Sequence, residues 1–246
     1  MPSKFIGFPT EAMTFLRGLK RNNNREWFQA HKPVFEEKVK APMLELIGEL
    51  NLALAGFAPD YASDPAKAFY RIYRDTRFSP DKTPYKTHVA AIFVPRGLDK
   101  HSSGSFYFQV SPQEIGVAGG IYMPGPEQLL AVRTHLAEHY ERLEDLLRGK
   151  QLRTLMGELS GDPLSRVPKG FPSTHPAADL IRMKQWYVYV ELEAGIATTP
   201  KLIDELLERF RAMTPLVEFL NEPLSPRRPA PGFSAKPRAR RDSGVQ

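Results

Sequence analysis

Strand-like segments follow one another directly between residues 68 and 122, and this order constrains the fold more than any other feature of the chain. Patterns rich in aromatic and β-branched residues mark the segments 68–74, 88–94, 105–110 and 115–122. The links between the last three are too short for a crossover helix, and they contain Gly, Pro and Ser. Neighbouring strands must therefore pair antiparallel, which excludes a β–α–β arrangement here.

Helical periodicity flanks this region on both sides. Apolar residues recur at helical spacing over 10–20, 34–54, 126–148, 151–159 and 199–220. A late strand is predicted over 186–192, where Trp186, Val188 and Val190 alternate with Tyr187, Tyr189 and Glu191. We therefore predict an α+β fold with an antiparallel, largely meander sheet of about five strands, packed with helices from both ends of the chain. The segment 88–94 is apolar on both faces, which predicts a central strand.

Positive charge is concentrated at the C-terminal end. From Ser225 onward the chain carries six basic residues and one acid, a net +5 out of the total +6. Residues 1–222 are thus nearly neutral and are predicted to form a single α+β domain. Residues 223–246, rich in Pro and Arg, are predicted to be a disordered basic tail. Such a tail favours weak, non-specific contact with nucleic acid.

Several classes of protein are disfavoured by what the sequence lacks. Cysteine is absent, which excludes disulfides, thiolate nucleophiles and cysteine-ligated metal. No apolar run has the length of a signal peptide or a membrane span. We therefore expect a cytoplasmic protein with no membrane partner and no cofactor.

One motif resembles a metal site. Residues 135–139 match the H-x-x-E-H pattern of a zinc-peptidase class. Helical geometry, however, directs Glu138 away from the apolar stripe of its helix, where it would be a poor general base. The motif is therefore interpreted as a solvated helix flank, and no metal is expected.

The residues that indicate chemistry lie in the cation segment, which we define as residues 71–88. It contains two acids, Asp75 and Asp81, and five cations: Arg71, Arg74, Arg77, Lys82 and Lys86. Arginine binds phosphate or carboxylate through two parallel hydrogen bonds, and lysine adds a point charge. The segment therefore predicts a phosphate-type anion site for a phosphorylated small molecule, built from these five cations. Tyr85, His88 and Asp75 are the candidates for proton transfer or orientation.

Two alternatives explain the same residues. Asp75 and Asp81 can pair with two of the arginines and form a structural network in an interaction domain. Alternatively, the segment and the tail contact the phosphates of a nucleic acid while Tyr70, Tyr73 or Phe78 stack on bases. Whether the protein is an enzyme is not decided by the sequence.

The cation segment also resembles the signature of a widespread bacterial family of unknown function. The similar residues follow the pattern R-x-x-R-D-x-R-F-x-x-[DN]-K-x-x-Y, from Arg71 to Tyr85. Further similarity lies in Phe5–Phe8, Asn22–Phe28, Lys82–His88 and Gly119–Tyr122. The resemblance runs from about Phe5 to Leu220 and leaves out the basic tail. It implies where a site lies but no reaction.

Overall fold

The fold is described by a computed structural model that covers residues 5–225. Its four-stranded sheet has the order β1-β2-β3-β4, and each strand is antiparallel to its neighbour. The strands are β1 (Val89–Phe93), β2 (Ser105–Val110), β3 (Glu114–Ile121) and β4 (Trp186–Glu193). The predicted α+β class and meander order are confirmed, whereas the number of about five strands is wrong. Most of the predicted basic tail lies outside the described residues.

The segment 68–74 was predicted as a strand and is not one. It forms only isolated bridges, Phe69 with Ala91 and Tyr73 with Tyr85. Between these bridges, three residues along one segment (70–72) face five along the other (86–90), so the register shifts and no continuous ladder forms. Pro84, which has no N–H to donate, lies just outside these two bridges, and its C=O accepts from Arg74 N–H at 2.9 Å.

Strand β1 is an edge strand rather than the predicted central one. It is nevertheless buried along its whole length. The segment 69–74 covers its outer edge, where Tyr70 N–H donates to Ala90 C=O at 2.9 Å. Apolar residues on both faces of a strand indicate that the strand is buried. They do not show whether it is central, because a covered edge strand is buried too.

Helices precede and follow the strands along the chain, as predicted. Before the sheet lie α1 (Thr10–Arg21), α2 (Arg25–Val34), a π-helical segment (Phe35–Lys40), α3 (Ala41–Leu54) and α4 (Pro65–Ala68). After β3 lie α5 (Pro126–Glu138), α6 (Tyr140–Arg148), α7 (Lys150–Met156) and α8 (Ala178–Arg182), and after β4 lies α9 (Lys201–Asn221). The helix predicted over 126–148 is divided into α5 and α6 because His139 leaves the helical conformation, with φ −131° and ψ 30°.

The two faces of the sheet differ in character because side chains alternate along each strand. One face packs on α9, where the ring of Phe210 lies 5.0 Å from that of Phe106 and 5.7 Å from that of Phe93. Gly119 faces α9 too, and a Cβ atom there would lie 2.7 Å from Met213 Sδ, so glycine permits the close approach. The opposite face carries Tyr107, Ala118 and Tyr189 in register. This second face borders a cavity.

No helix within residues 5–225 is long and apolar enough to cross a lipid bilayer.

Candidate functional site

A cavity of about 710 Å³ lies against the second face of the sheet. Five tyrosines line it: Tyr70, Tyr107, Tyr122, Tyr187 and Tyr189. Four basic residues line it as well: Lys86, His88, Lys100 and His101. No Asp or Glu belongs to its lining among the residues that the structure describes. We call this the sheet cavity.

Lys86 and Lys100 both approach the ring of Tyr70, one of the tyrosines that line the sheet cavity. Their Nζ atoms lie 4.8 Å and 4.3 Å from the centre of the Tyr70 ring. Burial lowers the pKa of both amines, and the charges of Arg71 and Lys100 lower that of Lys86 further. In the described part of the chain, no carboxylate lies within ion-pair distance of either ammonium. Lys100 donates to the backbone C=O of Lys67 at 3.0 Å, so its position is fixed.

His88 lies immediately before β1, on the wall of the sheet cavity. Burial lowers its pKa to about 4, and the charge of Lys86 contributes to this shift. The imidazole is therefore neutral near pH 7 and can accept a proton there but not donate one as an imidazolium.

Two arginines of the cation segment pair with its two acids. Arg77 holds Asp75 through two side-chain hydrogen bonds of 3.0 Å and 2.8 Å. Arg74 donates to Asp81 and Thr83, and a longer contact of 3.5 Å reaches Ser79 Oγ. These bonds hold the pKa of each carboxyl at about 2. Both guanidinium groups thus have anionic partners within the segment.

The remaining cations of the segment differ in their surroundings. Lys82 donates to the backbone C=O of Thr76 at 2.9 Å. Arg71 is exposed, and no hydrogen bond or ion pair involves its side chain among the described residues. Neither these two residues nor Arg77 and Asp75 line the sheet cavity. The five cations therefore do not converge on one point, and only Lys86 reaches this cavity.

A second hollow, of about 460 Å³, lies on the other side of Lys86 and His88, which line both spaces. Its lining includes Arg74 and Tyr85, which were predicted as site residues, and Asp81, which was predicted as a possible partner of an arginine. Lys20 and Asn23 line it as well. Asp81 already supplies negative charge here. The two hollows therefore differ electrostatically, and the sheet cavity is the one whose described lining contains no acid.

Tyr85 is held in place by an asparagine from the turn between α1 and α2. The Tyr85 ring stacks on Phe28, with ring centres 4.2 Å apart. Asn23 Nδ2 donates to Tyr85 C=O at 2.9 Å, and Tyr85 N–H donates to Asn23 Oδ1 at 3.0 Å. Asn24, in contrast, caps α2 by accepting from Trp27 N–H at 2.9 Å. Asn23 therefore fixes the chain next to Lys86 and His88.

Asn23→Ala is expected to lower the free energy of unfolding by about 2 kcal/mol, because both backbone groups of Tyr85 lose their partner. Asn24→Ala is the matched control and should cost about 1 kcal/mol through loss of a helix cap. Urea unfolding monitored by circular dichroism measures both values. A smaller loss for Asn23→Ala than for Asn24→Ala would contradict the role assigned to this clamp.

Several residues of the cavity were not identified as site residues from the sequence: Lys100, His101, Tyr107, Tyr122, Tyr187 and Tyr189. A signal for two of them was present, since Tyr187 and Tyr189 alternate with the core residues Trp186 and Val188. No such signal marks Lys100, which lies in the turn between β1 and β2.

The H-x-x-E-H motif was interpreted as a solvated helix flank, and this holds for only part of it. Glu138 and His139 are exposed. His135 is 11% exposed, lies 3.3 Å from Glu222 through Nε2 and packs on the ring of Phe219. The interpretation is wrong for His135, which is covered by Phe219 at the end of α9 and by Glu222, the residue that follows α9. These residues are distant from His135 in the sequence. Within residues 5–225 no cluster of three His, Asp or Glu side chains is arranged to hold a metal ion.

Comparison with known families gives a match over most of the chain. The sequence profile of a family described as "Conserved hypothetical protein (DUF2461)" matches residues 11–219. That range includes the cation segment and the lining of the sheet cavity. None of the curated proteins matches the chain.

Proposed function

The chain belongs to the DUF2461 family of conserved hypothetical proteins, and we propose that it binds a small phosphate-type anion in the sheet cavity. The anion-binding groups in this proposal are the ammonium groups of Lys86 and Lys100. The site uses the C-terminal end of the cation segment, where Lys86 and His88 lie, rather than its arginines.

The observation that carries this proposal is the pair of partly buried lysines without an acidic partner among residues 5–225. A buried charge is costly unless it is paired, and two like charges near one ring repel each other. The lowered pKa of each amine reflects that cost. An anion between the two ammonium groups offsets it and adds charge-assisted hydrogen bonds.

The arginines support the site indirectly in this proposal. Arg74 donates to Asp81 and Thr83 and so shapes the part of the loop that leads directly to Lys86. Arg71 adds positive potential, since its charge already lowers the pKa of Lys86. Long-range attraction of an anion toward the cavity is then strongest at low ionic strength.

If a reaction takes place in the cavity, His88 is the residue we propose as proton acceptor. It lines the same space as the two lysines and is neutral near pH 7. Tyr85 lines the second hollow and remains a candidate for orientation there. Asp75 does not line this cavity, and its oxygens are bonded to Arg77.

A second candidate function is supported by Phe78. Its side chain is 92% exposed at the tip of the cation segment, and Arg77 lies 5.6 Å from the centre of its ring. An exposed ring beside a guanidinium is suited to stack on a nucleic acid base. In that case Phe78→Ser would weaken single-stranded RNA or DNA binding, whereas a change in the sheet cavity would not.

Phosphate is expected to stabilise the protein more than chloride does at equal ionic strength. At a concentration a hundredfold above Kd, the gain in the free energy of unfolding is about 2.7 kcal/mol. The double variant Lys86→Gln/Lys100→Gln should lose this gain. Its stability without phosphate should equal or exceed that of the wild type, because two partly buried charges with no acidic partner in the described part of the chain are removed. Thermal unfolding with and without phosphate measures both quantities.

The matched control is Arg77→Gln, which removes one positive charge from the same segment outside the cavity. It should keep the full phosphate gain. Equal gain in the double lysine variant, or loss of the gain in Arg77→Gln, would contradict the proposed site.

A further inference from the structure

The size of the sheet cavity indicates a ligand much larger than a phosphate ion. Its volume of about 710 Å³ lies within the range of roughly 300–1,000 Å³ typical of small-molecule sites. Lys86 and Lys100 both lie next to a single lining residue, Tyr70. The rest of the ligand must therefore suit the remaining walls.

Part of the cavity floor, which we call the slot, has a small residue between two tyrosines. Tyr107 on β2 and Tyr189 on β4 are each paired in register with Ala118 on β3, which lies between them. The next row along the same face consists of Ser105, Gly120 and Tyr187. The residue at the centre of each row is thus Ala or Gly, and at least one tyrosine lies beside it.

The opening of the cavity is also aromatic and apolar. Tyr122 is 59% exposed and Met123 is 64% exposed, and both line the cavity. The ring of Tyr122 packs edge-on against that of Tyr187, with centres 5.3 Å apart. Large exposed apolar side chains grouped at the opening of a cavity are typical of ligand sites.

The lysines and the slot are adjacent. The Tyr70 ring, which both ammonium groups approach, lies 6.3 Å from the Tyr107 ring. A molecule with its anionic group at the lysines would therefore place its body between Tyr107 and Tyr189, above Ala118. A flat ring fits such a slot and gains ring–ring contacts that a flexible aliphatic chain does not make.

We infer that the ligand of the sheet cavity is an aromatic phosphate or carboxylate, that is, a flat aromatic ring that carries the anionic group. The anionic group binds Lys86 and Lys100, and the ring lies on Ala118 between Tyr107 and Tyr189. This inference rests on the proposed function, because it places the anion at the same two lysines.

Isothermal titration with phenyl phosphate and methyl phosphate tests the inference, since the two probes share one anionic group and differ in the ring. We expect phenyl phosphate to bind about tenfold more tightly. Ala118→Leu fills the centre of the slot and should abolish this advantage while methyl phosphate binds as before. Ala118 is partly exposed toward the cavity, so the larger side chain does not enter the packed core. Tyr189→Ser is a second variant that removes ring contact without adding volume.

The outcomes separate the two claims. If the two probes bind with equal affinity and both lose binding in the double lysine variant, the inference of an aromatic ligand is overturned and the anion site stays in place. The same follows if Ala118→Leu and Tyr189→Ser both keep the preference for phenyl phosphate. Absence of binding by both probes to the wild-type protein overturns the proposed function and the inference together.

Discussion

Asn221→Leu is expected to lower the free energy of unfolding by about 4 kcal/mol, because it leaves buried polar groups without partners. Asn221 lies at the end of α9 and is 4% exposed. Its Oδ1 accepts from Gly104 N–H at 2.7 Å, and its Nδ2 donates to Gly104 C=O at 2.8 Å and to Tyr61 Oη at 2.9 Å. Gly104 lies between Ser103 and Ser105, which line the sheet cavity.

Tyr61→Phe is the matched control for this substitution. It removes one of the three hydrogen bonds and leaves both backbone groups of Gly104 paired, so the expected cost is about 1 kcal/mol. Guanidinium unfolding gives both values. A loss below 1 kcal/mol for Asn221→Leu would show that α9 does not hold this wall of the cavity.

His88 is expected to make the protein less stable as the pH falls from about 6.5 to about 4. The pKa of the folded protein's His88 is about 4, whereas an unfolded histidine titrates near 6.5. Between these values the unfolded chain binds a proton that the folded chain does not, so lower pH favours unfolding. The full effect is about 3 kcal/mol for a shift of this size.

The variant His88→Gln isolates this effect. The difference in unfolding free energy between wild type and variant should change by about 3 kcal/mol across this pH window and stay constant above it. Asp75 and Asp81, with pKa values of about 2, affect stability only at lower pH. His135, whose pKa burial also lowers, contributes equally to both proteins. A pH-independent difference, or an NMR titration of His88 near 6.5, would contradict the burial of this imidazole.

Four strands, the flanking helices and two ion pairs follow from local sequence patterns. Aromatic and β-branched residues in 105–110 and alternation in 186–192 predicted strands that the structure contains. Helical stripes predicted helices on both sides of them. The proximity of Asp75 to Arg77 and of Asp81 to Arg74 in the sequence likewise anticipated the two ion pairs that form.

The remaining features depend on contacts between distant parts of the chain. The register shift in 69–74 arises from pairing with residues 84–91, which no pattern within 68–74 encodes. Lys100 reaches Tyr70 across thirty positions of sequence, so its place beside Lys86 requires the folded sheet. Alternation places Tyr187 and Tyr189 on one face, but it does not show which face the helices cover.

The most direct test of the anion site is a crystal soaked with selenate, whose anomalous scattering locates the ion. The proposal predicts a peak in the sheet cavity within hydrogen-bonding distance of Nζ of both Lys86 and Lys100, absent from crystals of the Lys86→Gln/Lys100→Gln variant. Selenate peaks confined to Arg71, Arg74 or Arg77, with none in the cavity, would contradict it.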